Sequence, residues 1–82
     1  MAEEPKLLAT IPRNATEQIQ ISINSYRNKQ YLDLRVFYTT DDGENWLPTK
    51  KGVTISPENL MELKDAIEKA IQELVTVEEE NV

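Results

Sequence analysis

Hydrophobic and polar residues alternate over two neighbouring stretches of the chain. In residues 19–23 isoleucine occupies every second position, and in residues 32–36 leucine, leucine and valine do the same. A period of two is that of a β-strand with one face turned to a core. Between the two stretches, Arg27 and Asn28 form a plausible tight turn, because Asn tolerates the left-handed backbone that short hairpins need. The pattern therefore predicts two antiparallel strands within residues 18–40.

The flanking residues add shorter elements. Residues 41–44 (DDGE) have the composition of a hairpin turn, and residues 45–48 and 51–56 each fit a short strand. Residues 7–11 could add an edge strand before Pro12, which lacks a backbone donor. We therefore expect a four-stranded antiparallel meander, to which the N-terminal segment could contribute an additional edge strand.

After the last strand the period becomes helical. Pro57 suits the first helical position, Ser56 can accept hydrogen bonds from free amides, and Glu58 complements the helix dipole, so a helix is predicted from Pro57 to about Val75. Its apolar residues cover close to half of the circumference, wider than the stripe of about 100° that one supporting surface requires. This pattern predicts an α+β fold that forms a C2 homodimer, with a monomer as the alternative. The predicted interface residues are Leu60, Leu63, Ile67, Ile71 and Leu74.

Composition limits the number of domains and the available chemistry. The 82 residues suffice for one domain, placed at residues 13–75, between a leader at 1–12 and an acidic tail at 76–82 that we expect to be disordered. Without cysteine or histidine, disulfides and the usual zinc ligands are excluded. No nucleophile with a positioned base and no phosphate-binding loop can be assembled. We therefore expect no enzymatic activity, cofactor, metal or small-molecule substrate.

No apolar run approaches 18 residues, and the N-terminus lacks a signal-peptide pattern. We therefore expect no membrane association. The expected location is the cytoplasm, on the nucleoid in a bacterium, or the nucleus in a eukaryote.

The net charge of −6 is unevenly distributed. Residues 13–52 carry six basic and five acidic side chains, whereas residues 53–82 carry two basic and eight acidic ones. Affinity for phosphates comes mainly from Lys and Arg that release condensed counterions. The predicted sheet is thus slightly positive and compatible with nucleic acid, although the whole chain is acidic.

Aromatic and basic residues cluster in this sheet region. Rings that stack on bases and cations that follow phosphates are the two components of a single-stranded nucleic-acid site. Each of these residues has an alternative role. Tyr38 has the parity of a core residue, Trp46 could fill the core, and Arg35 could pair with Asp33. The remaining cations could be plain solvated charges. The candidates are Tyr26, Arg27, Lys29, Arg35, Tyr38, Trp46, Lys50 and Lys51.

Several segments together resemble a known family. Residues 29–35 (KQYLDLR), 41–44 (DDGE) and 48–55 (PTKKGVTI), followed by the Leu- and Lys-containing helix, are similar to the DNA-binding domain of the positive cofactor four family of transcriptional coactivators. The similarity extends from about residue 19 to residue 74. It implies a homodimer in which each chain has a curved four-stranded sheet and one long C-terminal helix. It also implies channels that bind single-stranded DNA by backbone contacts and stacking, with little sequence preference.

The resemblance assigns roles to individual positions. Tyr26 and Tyr38 occupy the places of two stacking aromatic residues. Glu17 falls where the human-type domain has a lysine, and Arg13 could supply a nearby cation; Asn28 replaces a turn glycine. The Ser- and Lys-rich regulatory arm of the eukaryotic coactivator does not occur in these 82 residues, which favours a bacterial-type homologue. The positions that match basic backbone contacts are Arg27, Lys29, Arg35, Lys50 and Lys51.

Three hypotheses on function follow. The first is a homodimeric single-stranded DNA-binding protein that acts as a transcription cofactor or regulator on melted DNA. The second is a single-stranded RNA-binding protein, since stacking does not require deoxyribose. The third is a protein-interaction module whose partner uses a strand edge or the helix.

Overall fold

The structure is a computed structural model that describes residues 5–75. One antiparallel sheet contains four strands in chain order: β1 (Lys6–Pro12), β2 (Glu17–Tyr26), β3 (Lys29–Tyr38) and β4 (Leu47–Ile55). A helical segment follows, made of a 3₁₀ turn (Pro57–Asn59), helix α1 (Leu60–Ala70) and a π-helical turn (Ile71–Val75). The predicted α+β fold, a four-stranded sheet followed by one C-terminal helix, is confirmed. The predicted tail at residues 76–82 lies outside the described residues.

The N-terminal edge strand forms and is one of the four strands. Within the β1–β2 pair, Ala9 faces Ile21 and Ile11 faces Ile19, which extends the apolar face of the sheet. The register shifts between Leu7 and Ala9, and this irregularity places Leu7 opposite Ser22. Most of the segment predicted as a leader is therefore paired within the sheet.

The structure differs from the prediction in the segment that follows residues 41–44. Instead of two short strands at residues 45–48 and 51–56, the chain forms one strand, β4, with an irregularity inside it. Arg35 pairs with Gly52 and Phe37 with Pro48, so that the single β3 residue between them faces three β4 residues, 49–51. We call residues 49–51 the β4 bulge. Its extra residues interrupt the alternation of side chains, which made one strand resemble two.

The strand register confirms the predicted division of the sheet into two faces. On one face, rows of apolar residues cross the sheet, such as Ile21, Leu34 and Val53. On the other face, polar rows cross it, such as Ser22, Asp33 and Thr54. We call these the apolar face and the polar face.

The helical segment begins at Pro57, as predicted, but its capping differs. The backbone N–H of Asn59 donates to the carbonyl of Ser56 over 2.9 Å, while the side chain of Ser56 makes no capping hydrogen bond. The helix starts with a tight 3₁₀ turn, in which backbone bonds satisfy groups that a side-chain cap would otherwise satisfy.

The described part of a single chain, residues 5–75, has no core of its own. Within residues 5–75 no apolar side chain is buried, and the only buried residues are Asp33 and Thr39, which are 5% and 4% exposed. The sheet contacts the helical segment mainly through the 3₁₀ turn after β4, so α1 extends away from the sheet. The radius of gyration is 15.4 Å, against about 12 Å for a compact domain of this length. Among the residues that the structure describes, none forms a layer over the apolar face of the sheet or the apolar side of the helix.

Candidate nucleic-acid interface

The hairpin between β2 and β3 carries the first group of predicted site residues. Tyr26 pairs with Lys29, and the two residues between them, Arg27 and Asn28, have φ angles of 50° and 66°. Two successive positive φ angles define a type I′ turn, whose twist matches that of the flanking strands. The hairpin is thus confirmed as a two-residue connection.

This turn places a cation against an exposed aromatic ring. Tyr26 is 62% exposed, and the guanidinium carbon of Arg27 lies 5.2 Å from the centre of its ring. The distance is within the range of a cation–π contact. Since Lys29 pairs with Tyr26, the hairpin end combines one ring and two cations. We call Tyr26, Arg27 and Lys29 the hairpin cluster.

Arg13 and Lys51 line a second region, a shallow groove on the apolar face. Ile19, Val36 and Val53 form part of its floor. The charge of Arg13 is partly compensated, because its Nη1 lies 3.9 Å from Oε1 of Glu17. The lining of the groove therefore combines apolar and basic residues.

Arg35 lies on the polar face, and its guanidinium is engaged inside the sheet. Its Nε and Nη2 donate to the two carboxylate oxygens of Asp33 over 3.2 and 3.0 Å, and its Nη1 donates to the carbonyl of Thr49 over 3.0 Å. The alternative role of Arg35, an ion pair with Asp33, is thus observed. An open groove of about 610 Å³ adjoins this pair and includes Gln20, Asn24 and Phe37 in its lining.

Tyr38 and Trp46 lie at the other end of the hairpin. Tyr38 is 37% exposed and pairs with Glu17 and Leu47. The indole of Trp46 is half-buried and packs against Gly43, whose φ angle of 89° suits glycine. Tyr38 is therefore accessible to a ligand, while Trp46 is partly used in its own loop.

Asp41 organises the loop that carries Trp46. The carboxylate of Asp41 accepts hydrogen bonds from the backbone N–H and the side-chain amide of Asn45 over 2.9 and 3.0 Å, and from the hydroxyl of Thr39 over 2.7 Å. These bonds, those from Asn45 first, lower the pKa of Asp41 from 3.8 to about 2. The ionised carboxylate therefore holds the loop in its folded shape.

The depressed pKa of Asp41 predicts a pH dependence of the loop. Because the pKa is lower in the folded state, the stabilisation is present above the ordinary value of 3.8 and is lost as pH falls towards about 2. We expect the fluorescence of Trp46 to be constant from pH 7 to about 4 and to shift between about 4 and 2. Asp41→Asn should remove this component of the titration, and a midpoint above 4 in the unmodified protein would contradict the assignment.

The structure brings some predicted residues together and separates others. Tyr26 falls on the polar face and Tyr38 on the apolar face, and Tyr38 lies nine positions along β3 from Lys29, the partner of Tyr26. At about 3.3 Å per residue, the two positions lie roughly 30 Å apart along the sheet. One chain therefore offers two separate aromatic positions and not one continuous stacking platform.

Two residues that matter for the site geometry were not predicted. Thr49 and Gly52 adjoin Arg35, and an added Cβ on Gly52 would lie 2.7 Å from the backbone oxygen of Leu34 and 3.1 Å from the guanidinium carbon of Arg35. A glycine inside a strand is a sign of a bulge or of close backbone approach. That signal was available in the sequence at Gly52.

In the part of the chain that the structure describes, no group of three or more acidic residues is placed to hold a metal ion. None of the helices in residues 5–75 is long and apolar enough to cross a membrane.

Comparisons with known proteins agree on one family. A family model described as Transcriptional Coactivator p15 (PC4) matches residues 13–66. A crystal structure of a PC4 homologue from Burkholderia pseudomallei is 32% identical, with a TM-score of 0.77, and the match covers 89% of this chain and 97% of that chain. A second crystal form of the same homologue is 33% identical, with a TM-score of 0.73, and covers 82% and 97%.

Two more distant similarities extend to other organisms. A bacteriophage T5 homologue of the eukaryotic coactivator PC4, implicated in recombination-dependent DNA replication, has a TM-score of 0.69 at 20% identity, over 96% of this chain and 90% of that chain. At that identity the likeness concerns the fold alone. A putative RNA polymerase II transcriptional coactivator from Caenorhabditis elegans is 28% identical over 46 residues, which are 56% of this chain but 37% of that relative.

Proposed function

The chain belongs to the transcriptional coactivator p15 (PC4) family and is of the bacterial type, and on this premise we propose that it is a homodimeric, non-catalytic protein that binds single-stranded DNA. Binding would have little sequence preference, and the protein would act as a transcription cofactor or regulator on melted DNA. The hairpin cluster is the observation that carries the proposal. An exposed ring beside two cations suits a stacked base and its phosphates.

The other predicted contacts complete the proposed interface. Lys50 and Lys51 are exposed on the β4 bulge, and Arg13 and Lys51 both line the groove on the apolar face. Tyr38 offers a second aromatic position at the far end of β3. Trp46 would contribute its free edge, since its indole also packs on Gly43. These cations lie on the sheet, while the acidic residues of α1 lie on the segment that extends away from it.

The uncovered apolar surfaces support the homodimer. Ile67, Ile71 and Leu74 on the helical segment are 49%, 50% and 65% exposed. A chain without a buried apolar side chain in residues 5–75 gains less burial energy than a compact domain, at about 25 cal/mol per Å² of apolar surface removed from water. A second copy would cover the same residues on both chains by symmetry. Leu60 and Leu63 extend this proposed contact towards the start of α1.

The function is tested by titrating the protein with oligo-dT, duplex DNA and oligo-U at two salt concentrations, with Trp46 fluorescence as the signal. We expect oligo-dT to bind more tightly than duplex, and log K to fall with log salt with a slope of about −0.7 per phosphate contacted. Equal affinity for oligo-dT and duplex would contradict the proposal. Tighter binding of oligo-U than of oligo-dT would favour an RNA-binding protein instead.

The substitution Arg27→Gly distinguishes the effect of backbone strain on stability from the effect of the Arg27 charge on DNA binding. A non-glycine residue at a φ of 50° is strained, so glycine should keep or raise stability, by at most about 1 kcal/mol. The affinity for oligo-dT should nevertheless fall severalfold, because a cation beside Tyr26 is lost. The matched control is Asn28→Gly, which changes the same turn and removes no charge. Equal oligo-dT affinities for the two variants would exclude Arg27 from the interface.

A further inference from the structure

The β4 bulge is closed by a small set of hydrogen bonds around Thr49. The hydroxyl of Thr49 donates to the carbonyl of Val36 over 2.7 Å and accepts the backbone N–H of Lys51 over 3.1 Å. The hydroxyl thereby replaces ladder bonds that the extra residues of the bulge prevent. The path of the backbone through Lys50 and Lys51 depends on the position of Thr49.

Arg35 holds Thr49 from the other side. Its Nη1 donates to the carbonyl of Thr49, while Nε and Nη2 form a two-point contact with Asp33. Asp33 is one of the two buried residues among positions 5–75, so its carboxylate is shielded from water and its geometry is fixed. The guanidinium is thus hydrogen-bonded to Asp33 on one side and to Thr49 on the other, and it has little freedom to turn towards a ligand.

Gly52 provides the space for this arrangement. The guanidinium carbon of Arg35 would lie 3.1 Å from a Cβ at this position, and the backbone oxygen of Leu34 would lie only 2.7 Å away. Any larger residue would displace the strand or the guanidinium. The glycine and the Asp33–Arg35 pair are therefore parts of one local structure.

We infer that Asp33, Arg35, Thr49 and Gly52 form a positioning device that fixes the β4 bulge and so directs Lys50 and Lys51 towards the phosphates. This inference rests on the proposed binding of single-stranded DNA. Arg35 acts through Thr49 and is a positioning residue, not a phosphate contact, because its charge is compensated by Asp33. Within residues 5–75 neither Lys50 nor Lys51 has a carboxylate at ion-pair distance, so both ammonium groups are free to bind.

The competing explanation is that Arg35 contacts a phosphate directly, and Asp33→Asn distinguishes the two by the sign of its effect. If Arg35 is a phosphate contact, the loss of a negative charge beside it should strengthen the binding of oligo-dT. If Arg35 positions the bulge, the same substitution should weaken binding severalfold. The slope of log K against log salt should then become shallower by up to about 1.4, the value for two lost phosphate contacts on a single strand.

Asp42→Asn is the matched control, since it removes the same charge from an exposed loop position. It should leave the affinity for oligo-dT unchanged or raise it slightly. In a Lys50→Ala/Lys51→Ala background, Asp33→Asn should have no further effect, because the groups that it directs are absent. Independent, additive losses in this background would overturn the inference.

Arg35→Lys tests the inference without a change in charge, should Asp33→Asn fail to fold. A lysine cannot contact both Asp33 and the Thr49 carbonyl as the guanidinium does, so binding should weaken. Retained affinity would identify Arg35 as a simple cation and overturn the positioning role. Hydrogen exchange of the Lys51 amide, bonded to Thr49 in the structure, should accelerate in this variant without DNA.

Different results would refute the proposed function and the positioning role. If the unmodified protein does not bind oligo-dT, the proposed function is wrong. If it binds, and Asp33→Asn binds more tightly or Lys51 exchange is unchanged in Arg35→Lys, the positioning device is wrong while the function stands.

Discussion

Replacing Ile67 and Ile71 with aspartate should abolish the folded dimer. Both side chains are about half exposed in the single chain and lie on the apolar side of the helical segment, where we propose the second copy packs. Each isoleucine contributes about 1.5 to 3 kcal/mol when fully buried, and an unpaired carboxylate at the same place adds a desolvation cost of several kcal/mol. The total loss is comparable with the stability of a small domain, which is about 5 to 15 kcal/mol.

Light scattering and circular dichroism measure this result. The unmodified protein should have twice the chain mass of 9.4 kDa, and the double variant should be a largely unfolded monomer. Gln72→Asp is the control, because it adds an acidic residue beside Ile71 but on another side of the helix. A folded protein with the mass of one chain, before any substitution, would refute the homodimer.

Replacing Tyr26 and Tyr38 together with alanine should weaken the binding of oligo-dT by a few kcal/mol. Stacking on an aromatic side chain contributes about 1 to 3 kcal/mol per base by alanine substitution. Tyr26 should make the larger contribution, because it is the more exposed ring and Arg27 supports it. Fluorescence anisotropy of a labelled oligonucleotide gives the dissociation constants directly.

The control for this pair is Tyr26→Phe with Tyr38→Phe, which keeps both rings and removes only the hydroxyls. This variant should bind oligo-dT nearly as tightly as the unmodified protein. Weakening by the phenylalanine variant to the same degree as by the alanine variant would point to hydrogen bonding by the hydroxyls. Indifference to the alanine substitutions would remove both rings from the interface.

The sequence predicted the regular parts of the fold because local periodicity specifies them. The isoleucines of β2 and the apolar residues of β3 face each other across the ladder as their parity required, and Asn28 marked the turn. The helix followed from Pro57 and its apolar period. Each of these features follows from the alternation, the turn residues or the helical period within one short stretch of the chain.

The irregular parts of the fold depend on particular contacts between strands, which the hydrophobic periodicity of the sequence does not reveal. The β4 bulge requires the hydroxyl of Thr49 to reach Val36 and its carbonyl to reach Arg35, thirteen and fourteen residues earlier. A pair of lysines at positions 50 and 51 breaks the alternation in the same way as a loop would. The pattern therefore suggested two short strands where the structure has one.

The candidate site likewise contains some features that depend on local sequence and others that depend on contacts between strands. The exposure of Tyr26 and its contact with Arg27 follow from a local turn, and sequence reasoning assigned both residues to the site. For Arg35 the basic character was visible, but its engagement by Thr49 depends on the register between β3 and β4. Sequence alone therefore identified the cations but could not show that the guanidinium of Arg35 is held inside the sheet.

Because one chain has no core within residues 5–75, we expect the fraction of active protein to depend on how much of it the cell makes. In the proposed dimer, folding and association are a single bimolecular reaction, so mass action governs both. The melting temperature should rise with protein concentration, and dilution alone should populate unfolded chains. A newly synthesised chain would acquire its DNA-binding surface only on meeting a partner, which makes the active fraction a function of expression level.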